Sequence, residues 1–522
     1  MNLEKTFLCQ LAGILIVMFF QSNAIPATTT TDYTAALSHA LTTCTSRTDL
    51  LNKIAAIHRS AYEKGDDVVY PQNLTFNIAI PQNFQPIKLT TNTDFNGCTF
   101  VVENKQEKTF LFELSAKNSP KAVRLKKKLL KTGAIIKLGK TGPKLLTVKD
   151  ENLWTTRYDF GSQGEIAGVK GKYYRKDIFF IADSIVMNNP IVTYDNNASN
   201  PSYKYVDVTI DEKAFRNISL IRKVSSSAIT NLLHIEHQYN VRIENVDIKT
   251  ELQPDVKDRF YNDQCIKIDN SAKIKMANVT VLNTYSSQTI WGYAIEMNNV
   301  WDSSFSNLNI TAIRGGFNTT CANTMLFTDC ILNRVDVHYY GRDIICKNCT
   351  FRNTVNNFHV YNRVASFYGT LRYENCFFDH FLPVRIDSEY NAFTPFNVEM
   401  DNCTLSIIYQ TPSFYNCICY VPILESLEND RPELREKCLP NLNINKLIIV
   451  GPKMVKDFYF FIINRPKYNG NIYGLQNINV DNVVYAIDGN TPLSFHDSNH
   501  QLTMSTNYKR SVSHIKRKKR IL

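Results

Sequence analysis

Ten six-residue segments of the 522-residue chain share one pattern of positions: apolar, any residue, a turn-former, apolar, any residue, apolar. They are "FNGCTF" from Phe95, "FRNISL" from Phe215, "IENVDI" from Ile243, "MANVTV" from Met276, "FSNLNI" from Phe305, "FTDCIL" from Phe327, "CKNCTF" from Cys346, "YENCFF" from Tyr373, "MDNCTL" from Met400 and "LQNINV" from Leu475. The third residue is Asn in eight of the ten, Asp once and Gly once. From Asn217 to Asn402 successive third residues are 28, 33, 29, 22, 19, 27 and 27 apart. A unit of roughly 20 to 30 residues repeated in this way predicts a stacked solenoid.

Within each unit the apolar residues after the third position lie two apart, as on a strand, and Val, Ile, Phe, Thr and Leu dominate, so the unit is built of short strands. Asn, Asp and Gly best tolerate a left-handed backbone, and the third position therefore reads as a tight bend between two strands. One turn of a parallel β-helix needs such a bend. With coils stacked about 4.8 Å apart, each Asn lies over the next and their side-chain amides bond up the stack. The following residue, Cys in five of ten units, points inward; Cys98, Cys330, Cys349, Cys376 and Cys403 read as small buried apolar side chains. Stacked neighbours pointing the same way suit a disulfide poorly, and Cys346 and Cys349, three apart on a strand, face opposite sides. Cys417, Cys419 and Cys438 lie outside the ladder and are the cysteines expected to pair. The sequons at Asn217, Asn278, Asn348 and Asn402 coincide with ladder positions and read as turn residues rather than glycosylation sites.

The first residues, "MNLEKTFLCQLAGILIVMFFQSNA", have an apolar run from Phe7 to Phe20 and small residues at Ser22 and Ala24, the layout of a signal peptide over residues 1–24. The run falls short of the roughly 20 residues that cross a bilayer, and no later segment is apolar enough, so no membrane span is expected. The chain should be exported, to an extracellular, periplasmic or cell-surface location. Residues 25–66 show helical spacing up to about Lys64 and supply a cap for the unpaired strand edges at the solenoid end. A helix, then Gly-Asp, a short strand "VVYP" and "DFNGCTF" resembles the opening of the pectate-lyase-like right-handed β-helix superfamily. The resemblance covers this opening and the Asn-ladder region. It implies an all-β fold, a right-handed single-stranded parallel β-helix over residues 67–490 with a short N-terminal helical cap. Irregular coils with an insertion are expected around 101–214 and 406–440, where the rhythm lapses, and a basic, disordered tail over 491–522.

The net charge of +11 is local. "KAVRLKKKLLK" (121–131) and the tail "KRSVSHIKRKKRIL" together carry 13 Lys/Arg and no acids, which leaves the rest of the chain near neutral. No nucleic-acid module is present, so a nucleic-acid partner is not expected. Nothing in the sequence sets the oligomeric state.

Side chains at equal distance after each ladder Asn share a face. About 9 to 15 residues on, this places Trp291 in one coil, His338, Tyr340, Arg342 and Asp343 in another, His359, Tyr361 and Arg363 in the next, and Arg385 and Asp387 after that. In the superfamily that strand lines the substrate groove, so the resemblance implies a polysaccharide partner. Rings stack on sugar faces, Arg pairs with uronate or sulfate, and His or Asp moves protons. Trp291, His338, Tyr340 and Tyr361 are the expected binding residues, and Arg342, Asp343, His359, Arg363, Arg385 and Asp387 the expected catalytic ones. A lyase would use an Arg or His base with Arg or Ca²⁺ on the uronate, whereas an inverting hydrolase needs carboxyls roughly 6.5 to 9.5 Å apart. The cofactor stays open, with Ca²⁺ admitted by that chemistry and no protein metal ligands identified. The polygalacturonase motif set Asn-Thr-Asp, Asp-Asp, Gly-His-Gly and Arg-Ile-Lys is absent, as is a pectate-lyase Asp/Glu cluster. The expected function is binding and cleavage of an anionic or complex polysaccharide by a lyase or glycoside hydrolase. The alternative is a non-catalytic adhesive or surface-structural β-helix; a phage-type spike fits poorly with a signal peptide.

Overall fold

The nine turn-formers among the described residues have the left-handed backbone expected of them, and Asn477 lies outside those residues. In the computed structural model Asn217, Asn245, Asn278, Asn307, Asp329, Asn348, Asn375 and Asn402 all have φ between 51° and 62°. Their side chains bond upward in sequence: Asn245 Nδ2 donates to Asn217 Oδ1 (2.7 Å), Asn278 to Asn245 (2.9 Å), Asn307 to Asn278 (2.7 Å), Asn348 to Asp329 (2.9 Å), Asn375 to Asn348 (3.2 Å) and Asn402 to Asn375 (2.6 Å). The amide nitrogens of all four ladder sequons are engaged in this way, since Asn217 Nδ2 also donates, to Asp94. In the first coil Gly97 (φ 80°) takes the position, because a Cβ there would meet Asn73 Oδ1 at 2.2 Å. The inward cysteines are buried and donate to backbone carbonyls at the bends: Cys376 Sγ lies 3.3 Å from Cys346 O, and Cys403 Sγ 3.4 Å from Tyr373 O. A thiol thus fills the small space behind the bend and satisfies a carbonyl there, which a methyl group would not.

The structure describes residues 33–497 and 510–513 except 90–91, 105–107, 126–129, 161–165, 192–200, 225–228, 253–259, 284–289, 312–314, 353–360, 387–395, 407–416, 423–436, 439, 451–458, 465–471, 474–477 and 487–493. The fold is all-β, a right-handed parallel β-helix with, among the described residues, 26 strands in one wound sheet and two helices at the N-terminal end. Every pairing within that sheet is parallel, as between Tyr239–Leu252 and Phe260–Asn283. Two further columns of left-handed residues bend each coil. One runs His237, Asn270, Asn299, Cys321, Tyr340, Ser366 and the other Asn240, Lys273, Asp302, Thr324, Asp343. These bends carry mixed residue types, so no sequence repeat marked them. The coil of Asn441–Val450 also escaped the pattern because Lys446 (φ 59°) holds its bend.

The helix Arg47–Lys64 begins at Ser46, whose side chain accepts from Asp49 N, and ends at Gly65 (φ 78°). Leu50, Leu51, Ile54 and Ala61 cover the first coil and its cluster of Phe76, Phe95, Phe100 and Phe112. His58 is buried there with Nε2 2.8 Å from the Tyr70 hydroxyl, and burial pulls its pKa down to about 3. No helix among the described residues is long and apolar enough to cross a membrane.

The interruption after the first coils holds a separate five-stranded antiparallel sheet, made by Lys121–Val123, Lys144–Phe160, Ile166–Ala182, Ile185–Val186 and Pro201–Asp207. At the other end, Ser494–Asp497 and Arg510–Ser513 pair parallel with preceding coils. Both segments lie within residues 491–522, where a disordered tail was expected. No disulfide joins Cys417 to Cys419, contrary to expectation. Both are buried, Cys419 within the core and Cys417 beside Tyr361, Leu382 and Tyr420.

Candidate functional site

One strand of each coil alternates inward and outward, and the outward positions stack in register. From Lys88 the column runs through Glu113, His234, Lys267 and Glu296, and, two coils further on, through Asp336, Arg363 and Arg385 to Tyr420. Two residues on, Glu236, Asp269, Asn298 and Thr320 form a parallel column. Sequence reasoning reached the later part of this face and missed the earlier part, although "LLHIE", "IKID" and "IEMN" repeat apolar, charged, apolar, polar in the same register.

In the earlier part His234 Nε2 lies 2.8 Å and Lys267 Nζ 3.1 Å from Asp269 Oδ2. His234 also stacks on Phe110, with ring centres 5.2 Å apart. Asn298 Nδ2 donates to Asp269 Oδ1 (2.9 Å) and to Glu296 Oε1 (3.1 Å), so these two carboxylate oxygens are at most 6.0 Å apart. Gln264 Nε2 donates to Glu296 Oε2 and Lys108 Nζ to Gln264 Oε1 (2.8 Å). Burial alone would raise the Asp269 pKa, but the hydrogen bonds from His234 and Asn298 and the Lys267 charge outweigh it and hold the carboxyl at about 2. Asp269 is half-buried, with 14 % of its side chain exposed, and so remains reachable while staying ionised.

The later part is closed on itself. Arg334 and Asp336 are buried and ion-paired, and the Tyr293 hydroxyl lies 3.1 Å from Asp336 Oδ2 and 3.0 Å from His338 Nε2. Arg363, 4 % exposed, stands in register beside Asp336. The guanidinium carbons of Arg334 and Arg385 both lie 4.7 Å from the Tyr361 ring centre, and Arg385 donates to the Tyr361 hydroxyl (2.9 Å). Burial opposes ionisation of Asp336, yet the Arg334 charge beside it holds the carboxyl far below the usual range. Burial pushes His338 down to about 4, against the pull of Asp336 and with the help of the Arg363 charge.

Of the expected site residues, His338, Tyr361, Arg363 and Arg385 therefore come together. Tyr340, Arg342 and Asp343 do not join them. Tyr340 and Asp343 form the bends that follow, and Arg342 Nη1 donates to Ile191 O (2.9 Å) while its Nε lies 3.1 Å from Asp343 Oδ2, so the three seat the inserted sheet. Trp291 pairs through its backbone with Tyr261. His359 and Asp387 lie outside the described residues. No group of three or more His, Cys, Asp or Glu able to hold a metal is gathered among the described residues.

No family model and no curated protein matches the sequence. The fold does have solved counterparts. The tailspike protein gp49 from Pseudomonas phage LKA1 shares 12 % identity over 89 % of this chain and 74 % of its own, with a TM-score of 0.56. The Gp54 tailspike of Acinetobacter baumannii bacteriophage AP22, solved in complex with A. baumannii capsular saccharide, shares 12 % over 91 % and 79 %, with a TM-score of 0.46. At such identity the likeness is one of fold, the parallel β-helix.

Proposed function

We propose that this chain is an exported or surface β-helix that binds a polysaccharide along the outward column of its coils and cleaves it at Glu296 and Asp269. The shared hydrogen bond of both carboxylates to Asn298 carries the reading, because it sets two acids side by side on a half-exposed face. Glu296 gives its proton to the glycosidic oxygen as the bond to the anomeric carbon breaks. Asp269, kept anionic by His234, Asn298 and Lys267, faces the positive charge that develops there, and water then adds to the anomeric carbon and returns a proton to Glu296. A second reading, β-elimination at a uronate with His234 as base, draws on the 2.8 Å His234–Asp269 contact that orients the ring.

The test is incubation with a panel of acidic and neutral polysaccharides, following reducing ends and the absorbance of unsaturated uronates. Reducing ends without absorbance, lost by about 10² to 10⁴-fold in Glu296→Gln, are expected for general acid catalysis. Rising absorbance with Glu296→Gln active would replace the first reading by elimination. Binding without cleavage in the unaltered chain would leave the adhesive reading.

A further inference from the structure

The two faces of the inserted antiparallel sheet differ. Leu146, Val148, Phe179 and Ile181 turn toward Leu130, Ile136 and Leu138 and form the insertion's own core. On the opposite face Leu145, Ile178, Phe180 and Val206 dock onto Tyr239 and Ala272 of the stack, with the Phe180 and Tyr239 rings stacked at 4.0 Å. Further along the same strands that docking face changes character. Lys149 stands directly opposite Lys176 in the antiparallel register, and Lys204 lies diagonal to Lys149, since it pairs with Thr147. Like charges placed directly across two strands destabilise a sheet, and nothing in the docking calls for them.

The lysine end overhangs the coils and encloses a cleft of about 630 Å³. Its floor is Glu236, His237, Asn270 and Asn299, at bends of three successive coils. Glu236 is the one carboxylate among the described lining residues, and it faces His237 at 3.5 Å. The charge is regional as well as local. Residues 121–207 carry 16 Lys/Arg against eight Asp/Glu, a net +8 of the chain's +11, and the basic strand Lys121–Val123 pairs beside Tyr203–Tyr205 at the sheet's edge. Glu236 is in register with Asp269, so the cleft adjoins the acid pair.

We propose that this cleft is a second saccharide site that holds the acidic groups, uronate carboxylate or sulfate, of the bound polysaccharide on Lys149, Lys176 and Lys204. The inference rests on the polysaccharide reading for the class of polymer; the demand for an anion rests on the lysines. Lys149 Nζ lies 4.0 Å from the Tyr174 ring centre, which steadies one of the three cations.

The test is calorimetric titration of the full chain with oligogalacturonides, sulfated heparin-type oligosaccharides, neutral cello-oligosaccharides and an oligo-dT. Acidic oligosaccharides should bind, more weakly as salt rises, and the two acidic arms separate carboxylate from sulfate. The triple variant Lys149→Ala/Lys176→Ala/Lys204→Ala should bind about tenfold more weakly or worse at low salt, and the corresponding triple Arg variant should retain binding. A melting temperature no lower than the parent's in the Ala variant, where the like-charge repulsion is gone, and unchanged in the Arg variant confirms that the sheet is intact. Unweakened binding by the Ala variant, equal affinity for the neutral oligosaccharides, or equal lysine-dependent affinity for oligo-dT would each overturn the proposal. Glu296→Gln separates the two readings. If it still cleaves, the acid-pair reading fails while lysine-dependent binding stands; cleavage of neutral glycans with no lysine-dependent binding has the reverse meaning.

Discussion

The coils around residues 234–298 and those around 334–386 present the same column of outward positions, yet the charges in them live differently. Lys267 and Asp269 keep 27 % and 14 % of their side chains exposed, whereas Asp336, Arg334 and Arg363 are almost wholly buried although the register points Asp336 and Arg363 away from the core. Direction on a strand therefore does not decide whether a charged group meets solvent. In the earlier coils the carboxylates are held by donors that leave an accessible face. In the later coils each charge is consumed by another charge or a ring, which is the arrangement of a strut.

The contrast is broken most directly by removing one acid from each region. Asp336→Ala should destabilise the chain by about 3 to 5 kcal/mol, because Arg334 is left buried without its partner. Asp269→Asn removes a mostly buried charge held by three donors and should cost about 2 kcal/mol, less than Asp336→Ala, while turnover falls by about 10²-fold or more. Denaturant midpoints and initial rates on both variants check this. Equal losses of stability would mean that the two clusters are alike.

Acid should separate the regions next. The folded pKa of His338 is about 4 against about 6.5 in an unfolded chain, so the unfolded state takes up the proton first as pH falls. Its contribution is complete above about pH 6.5 and drains away toward pH 4, by up to about 3 kcal/mol. Asp336, with a depressed pKa, adds to the loss only below about pH 4, where an unfolded Asp begins to protonate. Asp269 is also depressed, to about 2, so its own contribution at residues 264–298 is lost only in that same lower range. Burial also lowers His58 at the cap and His237 at the bend after Glu236, and both add to the loss as pH falls below about 6.5, so a local readout is needed. Hydrogen exchange at pH 7 and pH 5 should show residues 335–386 opening first; simultaneous opening of 264–298 would contradict the scheme.

The sequence made the ladder legible because one residue type recurs where backbone geometry demands it. Asn at the third position is a local requirement, and locality is what a pattern can report. The other two bend columns meet the same backbone demand with His, Asn, Cys, Tyr, Ser, Lys, Asp and Thr, so they left no mark. Tyr340 and Asp343 were misread for that reason: their offset from the ladder residue Asp329 suggested an open face, while a bend had already turned the chain. His338, Arg363 and Arg385 were placed on the correct strand, but their burial depends on neighbours far away in sequence. His234, Asp269 and Glu296 were overlooked although they occupy the same register. Their hydrogen bonds run between coils 29 to 35 residues apart, a distance no local pattern reports.

The smallest effect tests what both regions share. Asn278 and Asn375 turn the coils that carry the accessible acids and the buried cluster, and each is left-handed with its amide in the ladder. Replacement by Gly keeps the backbone conformation and removes the side-chain bonds, so Asn278→Gly and Asn375→Gly should each cost about 1 kcal/mol. Replacement by Ala adds the strain of a left-handed Cβ, about 1 kcal/mol more. Because the bend serves either coil equally, the two positions should respond alike in melting temperature, and neither Gly variant should lower turnover. A larger loss at Asn375 than at Asn278 would mean that the buried cluster draws on the ladder for its geometry, and that the difference between the two regions begins in the backbone rather than in the side chains placed upon it.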